Sequence, residues 1–170
     1  MLTINFYPDS DREVFEKAAR EYEEIWQREG ERIISSIYKN TGLNFFTKEI
    51  NAIVYEGYSH SYPLRLRASH SKVLKTTTLI HELFHRIFLD NKIQFEGKIY
   101  TKEWDRNVHM TLSMLLYFTL KELNNGDVLK ENIKKESIGD RARIWEEVLA
   151  IDDREKIKHI KSILASRQRI

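Results

Sequence analysis

Apolar residues recur with a helical period along most of this chain, and with a strand-like period in only three short places. Residues 2–7 alternate well enough for a strand, which Pro8 and Asp9 close. Ser10, three positions before Glu13, has capping-box spacing. Val14, Phe15, Ala18, Tyr22, Ile25 and Trp26 then share one face of a long helix. The pattern resumes after Gly30 with Ile33, Ile34, Ile37 and Tyr38 and stops at Gly42. This predicts one long helix, or two joined near Gly30, with Tyr22, Trp26 and Tyr38 in the core. Two strand-like runs follow at 52–55 and 64–68, separated by a loop, EGYSHSYP, rich in turn formers and tyrosine. In the second run Leu64, Leu66 and Ala68 alternate with Arg65 and Arg67, and one apolar face against one charged face predicts an edge strand.

Beyond Lys75 the period is helical, apart from a connection at 90–104 with room for a short hairpin at Glu96 and Gly97. Helices are expected at 107–123, 128–135, 140–150 and 153–167. The fold class is therefore α+β in a single domain, 1–170. Its first part (1–75) holds the long helix and a small mixed sheet, its second (76–123) a pair of helices, and its third (127–170) the C-terminal helices.

Composition narrows this picture. At 170 residues the chain is long enough to bury roughly 70% of the surface its unfolded form would expose. Hydrophobic residues make up 41% and charged residues 32%, the balance of a soluble globular protein. A net charge of +2 demands no anionic partner, so no nucleic-acid partner is expected, and the basic last segment, KIKHIKSILASRQRI, reads as a solvated helix face. With no cysteine, disulfides and thiolate metal sites are excluded, so any metal falls to His, Asp or Glu. The N-terminus lacks the basic start and apolar core of a signal peptide, and no apolar run approaches the ~20 residues needed to cross a bilayer. A cytoplasmic, membrane-free protein is the expectation.

The chemistry concentrates in TTTLIHELFHRIFLD, residues 76–90, where His81 and His85 stand four apart with Glu82 between them in a helical run otherwise almost wholly apolar or Thr. Burying two imidazoles and a carboxylate there is costly unless something compensates them. Residues four apart lie about one turn apart on one helix face, so both imidazoles can reach one ion at about 2.0–2.1 Å. Glu82, rotated about 100°, stands beside that ion's open position, where a carboxylate can take a proton from an activated water. These residue types suit Zn2+-assisted hydrolysis of an amide.

On these residues the chain resembles the zincin metallopeptidases, whose active-site helix carries HExxH. The resemblance extends to the order of elements over residues 1–123: a long helix, strands, an edge strand, the motif helix, a connection and a second helix. It implies a zincin-like fold, Zn2+ held by His81 and His85, Glu82 as catalytic general base, and a peptide or protein substrate. It also implies substrate binding by strand addition along Leu64, Arg65, Leu66, Arg67 and Ala68. A catalytic zinc takes three protein ligands. The metzincin extension would need Gly at 88 and His at 91, where this chain has Phe88 and Asn91. A gluzincin would place a Glu on the next helix, where none occurs before Glu122. His109 is the preferred third ligand because it shares an inward stripe with Leu112, Leu116 and Leu120. Asp105, four before it, is an alternative ligand, a helix N-cap, or a partner fixing a histidine tautomer; Glu103 is a further alternative.

For the oxyanion of hydrolysis, Tyr55, Tyr58, His60, Tyr62, Tyr100 and Tyr117 are open candidates that no spacing separates. Arg65 and Arg67 could pair with a substrate carboxylate. His70 and His159 are expected at the surface. Three functions remain: a zinc metallopeptidase, a non-catalytic regulatory or interaction protein on a zincin-like scaffold, and a three-histidine helical-bundle metalloenzyme resembling the DinB proteins.

Overall fold

The apolar stripe that runs through Gly30 folds as one helix, α1 (Glu13–Thr41), of 29 residues. Gly30 is no break. A Cβ there would lie 2.9 Å from the Trp26 ring, so glycine gives that indole room to lie along the helix. Gly42, at φ 66°, ends the helix in the left-handed conformation and donates its N–H to the Tyr38 carbonyl, as its type predicts. The start differs from expectation. Arg12 is the N-cap without a side-chain bond, and Ser10 forms no capping box; its buried Oγ meets no partner among the described residues.

This computed structural model describes residues 2–136 and 140–166, with residue 140 described by its main chain alone. Before α1 comes β1 (Thr3–Pro8), and after it β2 (Glu49–Tyr55), β3 (His60–Ser61) and β4 (Leu64–Arg67). The helices α2 (Lys72–Asp90), α3 (Lys102–Glu122), α4 (Gly126–Lys135), α5 (Asp140–Ala150) and α6 (Asp153–Ala165) complete the chain. The class is α+β with a four-stranded mixed sheet in the order β1-β2-β4-β3. β1 and β4 both run parallel to β2, with Ile4 beside Ile50 and Val54 beside Leu66, while β3 is antiparallel to β4.

That order corrects the expected edge strand. β4 is paired on both sides, because the chain doubles back and sets His60 opposite Arg65 and Ser61 opposite Leu64. Next along, the Arg67 N–H donates to Ser59 Oγ and its carbonyl accepts from the Tyr22 hydroxyl, while the Ala68 N–H donates to the Tyr55 carbonyl. Leu64, Arg65, Leu66, Arg67 and Ala68 therefore offer no free ladder for a substrate strand. The hairpin partner was hidden because β3 is two polar residues long and carries no alternation.

α2 starts at Lys72, behind a Ser71 N-cap, and is packed against α1, α3, α4, β3 and β4. It buries Leu79, Ile80, Leu83, Phe84, Ile87 and Phe88. At about 1.5–3 kcal/mol each, these six contribute about 9–18 kcal/mol of gross transfer energy, which offsets the polar groups the helix also buries. One of those is Lys75, 3% exposed, which pairs with Glu21 of α1 and lies 5.7 Å from the Tyr22 ring centre. Asn91 ends α2; its side-chain amide donates to the Asn44 and Ile87 carbonyls, both at 2.9 Å.

The expected hairpin at Glu96 and Gly97 does not form; residues 91–101 follow turns and bends, and Gly97 has φ 97°. α3 begins behind a Thr101 N-cap, earlier than expected, so Glu103 and Asp105 lie in its first turn rather than before it. The C-terminal helices lie where the periodicity put them, and the expected end of the last, residue 167, falls outside the described residues. Buried side chains of β1, β2, β4 and of α1, α2, α3, α5 and α6 join one hydrophobic cluster. Among the described residues, no helix is long and apolar enough to cross a membrane.

Candidate metal centre

The inward stripe of α2 carries His81 and His85, and the inward stripe of α3 carries His109; packing these helices together brings the three rings to one point. His85 Nε2 lies 3.1 Å from His81 Nε2 and 3.2 Å from His109 Nε2. One nitrogen from each ring falls within 4.8 Å of the other two. Two donors at about 2.0–2.1 Å from one tetrahedral ion stand about 3.3–3.4 Å apart, close to both Nε2 spacings. The proton of His109 is assigned by its neighbour: Nδ1 lies 2.8 Å from the Asp105 carbonyl oxygen, which can only accept. Nδ1 is thus the N–H, and the Nε2 lone pair faces the shared centre.

Burial keeps all three rings neutral. It pushes His81 well below the ordinary histidine range, and His85 down to about 3, with the charges of neighbouring histidines and Arg141 adding to the effect. Burial and then Arg141 bring His109 down to about 4. Three neutral imidazoles with one tautomer already set form a donor group able to hold a divalent transition-metal ion. Burial raises Glu82, 6% exposed, to about 8, with Arg141 opposing.

Asp105 does not enter the group. Its Oδ1 stands 3.1 Å from His109 Nδ1 and its Oδ2 3.8 Å from Arg141, and its side chain is half exposed. It holds the histidine from behind, and the N-cap position belongs to Thr101. Glu103 is exposed and joins no metal-binding group among the described residues.

His81 and Glu82 open on a cavity of about 310 Å³, lined also by Tyr58, His70, Asn132 and Lys135. Of the oxyanion candidates, only Tyr58 lines it. The Tyr55 hydroxyl donates to the Tyr58 carbonyl, Tyr62 lies under the Arg86 guanidinium, and Tyr117 packs on Phe118 and Lys156. His60 is exposed in β3 and does not line the cavity; Arg67 does line it, with its guanidinium paired to Glu56. His70, expected in solvent, is half-buried between Thr78 and Lys135, each 2.9 Å away. The Lys135 ammonium donates to His70 Nε2, so Nδ1 carries the proton and donates to Thr78. His159 is likewise half-buried, 3.1 Å from Thr111 Oγ1, where α6 packs on α3.

Sequence reasoning missed Arg141, Asn132, Lys135 and Tyr22 as neighbours of this site. Each comes from a helix remote in sequence and sits in no motif, so only the folded chain brings it near. Tyr22 alone had a signal, its place on the inward stripe of α1; its hydroxyl donates to the Arg67 carbonyl, and burial together with the charge of Glu82 raises its pKa. Set against protein-family profiles, curated proteins and solved structures, the chain matches none of them.

Proposed function

We propose that this protein is a zinc-dependent hydrolase, a metallopeptidase of zincin type acting on peptide or protein substrates in a reducing compartment such as the cytoplasm. The observation that carries this reading is the convergence of three imidazole nitrogens with the buried Glu82, which follows His81 on α2 and lines the same cavity. His81, His85 and His109 would hold the ion, and an all-imidazole set of three suits a catalytic zinc. When bound, zinc supplies Lewis acidity, lowering the pKa of a water towards about 7 and polarising a carbonyl.

The remaining work falls to the chain itself. Burial, opposed by the charge of Arg141, leaves Glu82 raised to about 8, and a further cation beside it would pull the carboxyl back towards neutrality, where a group can take and release a proton. Glu82 accepts the water's proton on a carboxylate oxygen and hands it to the departing amine nitrogen. Asp105 holds the His109 ring through Nδ1 and keeps its Nε2 directed at the centre. The Arg141 charge, felt by Glu82 and all three histidines, adds positive field where negative charge develops on the substrate.

The four-stranded sheet argues against a three-histidine bundle of helices. A purely structural or regulatory metal site has no use for a buried carboxylate at the ion's side. Metal analysis followed by cleavage assays on wild type and Glu82→Gln tests the reading. About one zinc per chain is expected in both, with cleavage slowed about 10²–10⁴-fold in the variant. Zinc-loaded wild type that cuts nothing in a broad peptide library sinks the peptidase reading.

A further inference from the structure

Asp105 also lines a second, larger cavity, about 520 Å³, between the start of α3 and α5. Four basic side chains, Lys102, Arg106, Arg141 and Arg143, line it against two acidic ones, Asp105 and Glu147. Arg106 pairs with Glu147, and Arg141 lies 3.8 Å from Asp105. Lys102 and Arg143 pair with no carboxylate among the described residues. Among the described residues, Lys102 and Arg143 are thus the cations of this cavity that no acid satisfies.

Its other lining is aromatic. Tyr100 is 92% exposed, with its ring 5.9 Å from that of Trp104. Its backbone, at φ 68°, occupies the left-handed region, which is costly for a residue of this type. The fold thus keeps a large ring in water, in a strained conformation, beside a cationic cavity; such outliers concentrate at ligand clamps. The chain's net charge is only +2, and the two acids interrupt the basic patch, so there is no continuous stripe of the kind that tracks a phosphate backbone.

We infer that this cavity binds a carboxylate-bearing segment of the peptide substrate, the carboxylate against Lys102, Arg141 and Arg143 and an apolar or aromatic side chain against Trp104 and Tyr100. The inference rests on the peptidase reading for its choice of a peptide, and on charge complementarity and exposed aromatic surface for its chemistry. The carboxylate belongs either to an acidic side chain or to a free C-terminus. A carboxylate that engages Arg141 competes with Asp105, whose other oxygen faces His109 Nδ1, so occupancy of this cavity reaches the histidine cluster through one side chain.

Calorimetric titration of the metal-free protein with acetyl-Ala-Ala-Glu-Phe tests this, alongside the same peptide as its C-terminal amide, with Gln for Glu, and with both changes. The free acid is expected to bind and the doubly neutral peptide to bind at least tenfold more weakly. The amide and the Gln peptide, taken singly, identify which carboxylate is held. Lys102→Met combined with Arg143→Met should weaken the acid at least tenfold with an unchanged circular dichroism spectrum, and Trp104→Ala should weaken all four peptides. No binding of the acid, equal binding of the doubly neutral peptide, or full binding by the Lys102/Arg143 variant overturns the inference. Displacement of the acid by an equimolar single-stranded oligonucleotide would overturn it in favour of a nucleic-acid ligand. Because no ion and no turnover enter the titration, acid-selective binding without hydrolysis refutes only the peptidase reading. Hydrolysis without acid selectivity refutes only this one.

Discussion

Replacing His109 with alanine separates a metal centre from a core satisfied by hydrogen bonds. His109 is 7% exposed, with Nε2 3.2 Å from His85 Nε2 and Nδ1 bonded to the Asp105 carbonyl. In metal-free protein the substitution removes a bonded, buried side chain and costs about 1–3 kcal/mol. The difference that matters appears when zinc is added. An ion that binds only the folded protein stabilises it by about 2.7 kcal/mol at a hundredfold excess over Kd. For a chain of this length each kcal/mol moves Tm by about 2–4 °C, so wild type should gain about 5–11 °C. Loss of one of three ligands that raises Kd a hundredfold leaves RT ln 2, about 0.4 kcal/mol, and a gain of only about 1–2 °C at the same zinc concentration. Differential scanning calorimetry with zinc and with chelator reads both numbers, and metal analysis gives the stoichiometry. A full zinc-induced shift in His109→Ala, or none in wild type, refutes the three-histidine centre.

Other outcomes follow from the same structure. Asp105→Ala removes the carboxylate beside His109 Nδ1 but leaves the main-chain carbonyl, so it should keep zinc and weaken it about 10-fold, seen in competition with a chelating dye; complete loss of zinc would make Asp105 a ligand. Leu83→Ala, at a fully buried position of α2, should cost about 2–5 kcal/mol in urea denaturation, and a cost below 1 would contradict the packing of that helix. Lys75→Met should destabilise by about 1–3 kcal/mol, because it leaves Glu21 without its α2 partner, and a neutral result would show the pair to be dispensable. Burial, then the charges of Lys135, Arg67 and Lys75, push His70 down to about 4, with Glu56 opposing. Between the ordinary value of 6.5 and about 4 the unfolded chain therefore binds more protons. Stability from this residue is full above pH 6.5 and lost as pH falls through that window, and His70→Gln should flatten part of the decline in metal-free protein.

Most of what is written in local periodicity was legible, although Tyr38, expected in the core from the stripe of α1, is exposed near that helix's end. The stripe Leu112, Leu116 and Leu120 is buried, and it carried His109 inward with it. HELFH likewise lay on a helix whose apolar face left no doubt about its direction. What stayed hidden is tertiary. β3 is two polar residues whose strand character comes only from pairing with β4, and this cost the edge-strand reading. Residues 91–101 hold turn formers without alternation, so they resembled a hairpin and the start of α3 was placed too late. Arg141 comes beside Asp105 from α5 and Lys135 lines the cavity from α4, and nothing in the spacing of either helix marks them. Ser10 had the right spacing for a cap, but the helix begins at Glu13 behind Arg12, beyond its reach.

The three imidazoles come from two helices that the chain joins only through eleven irregular residues, 91–101. An ion held between them would be a clasp across that gap, tying together α2 and α3 at the point where the backbone connects them least firmly. Its removal would leave the segment to the packing of α2 on α3 alone, so the rate at which a protease nicks 91–101 would gauge how much of the protein holds an ion.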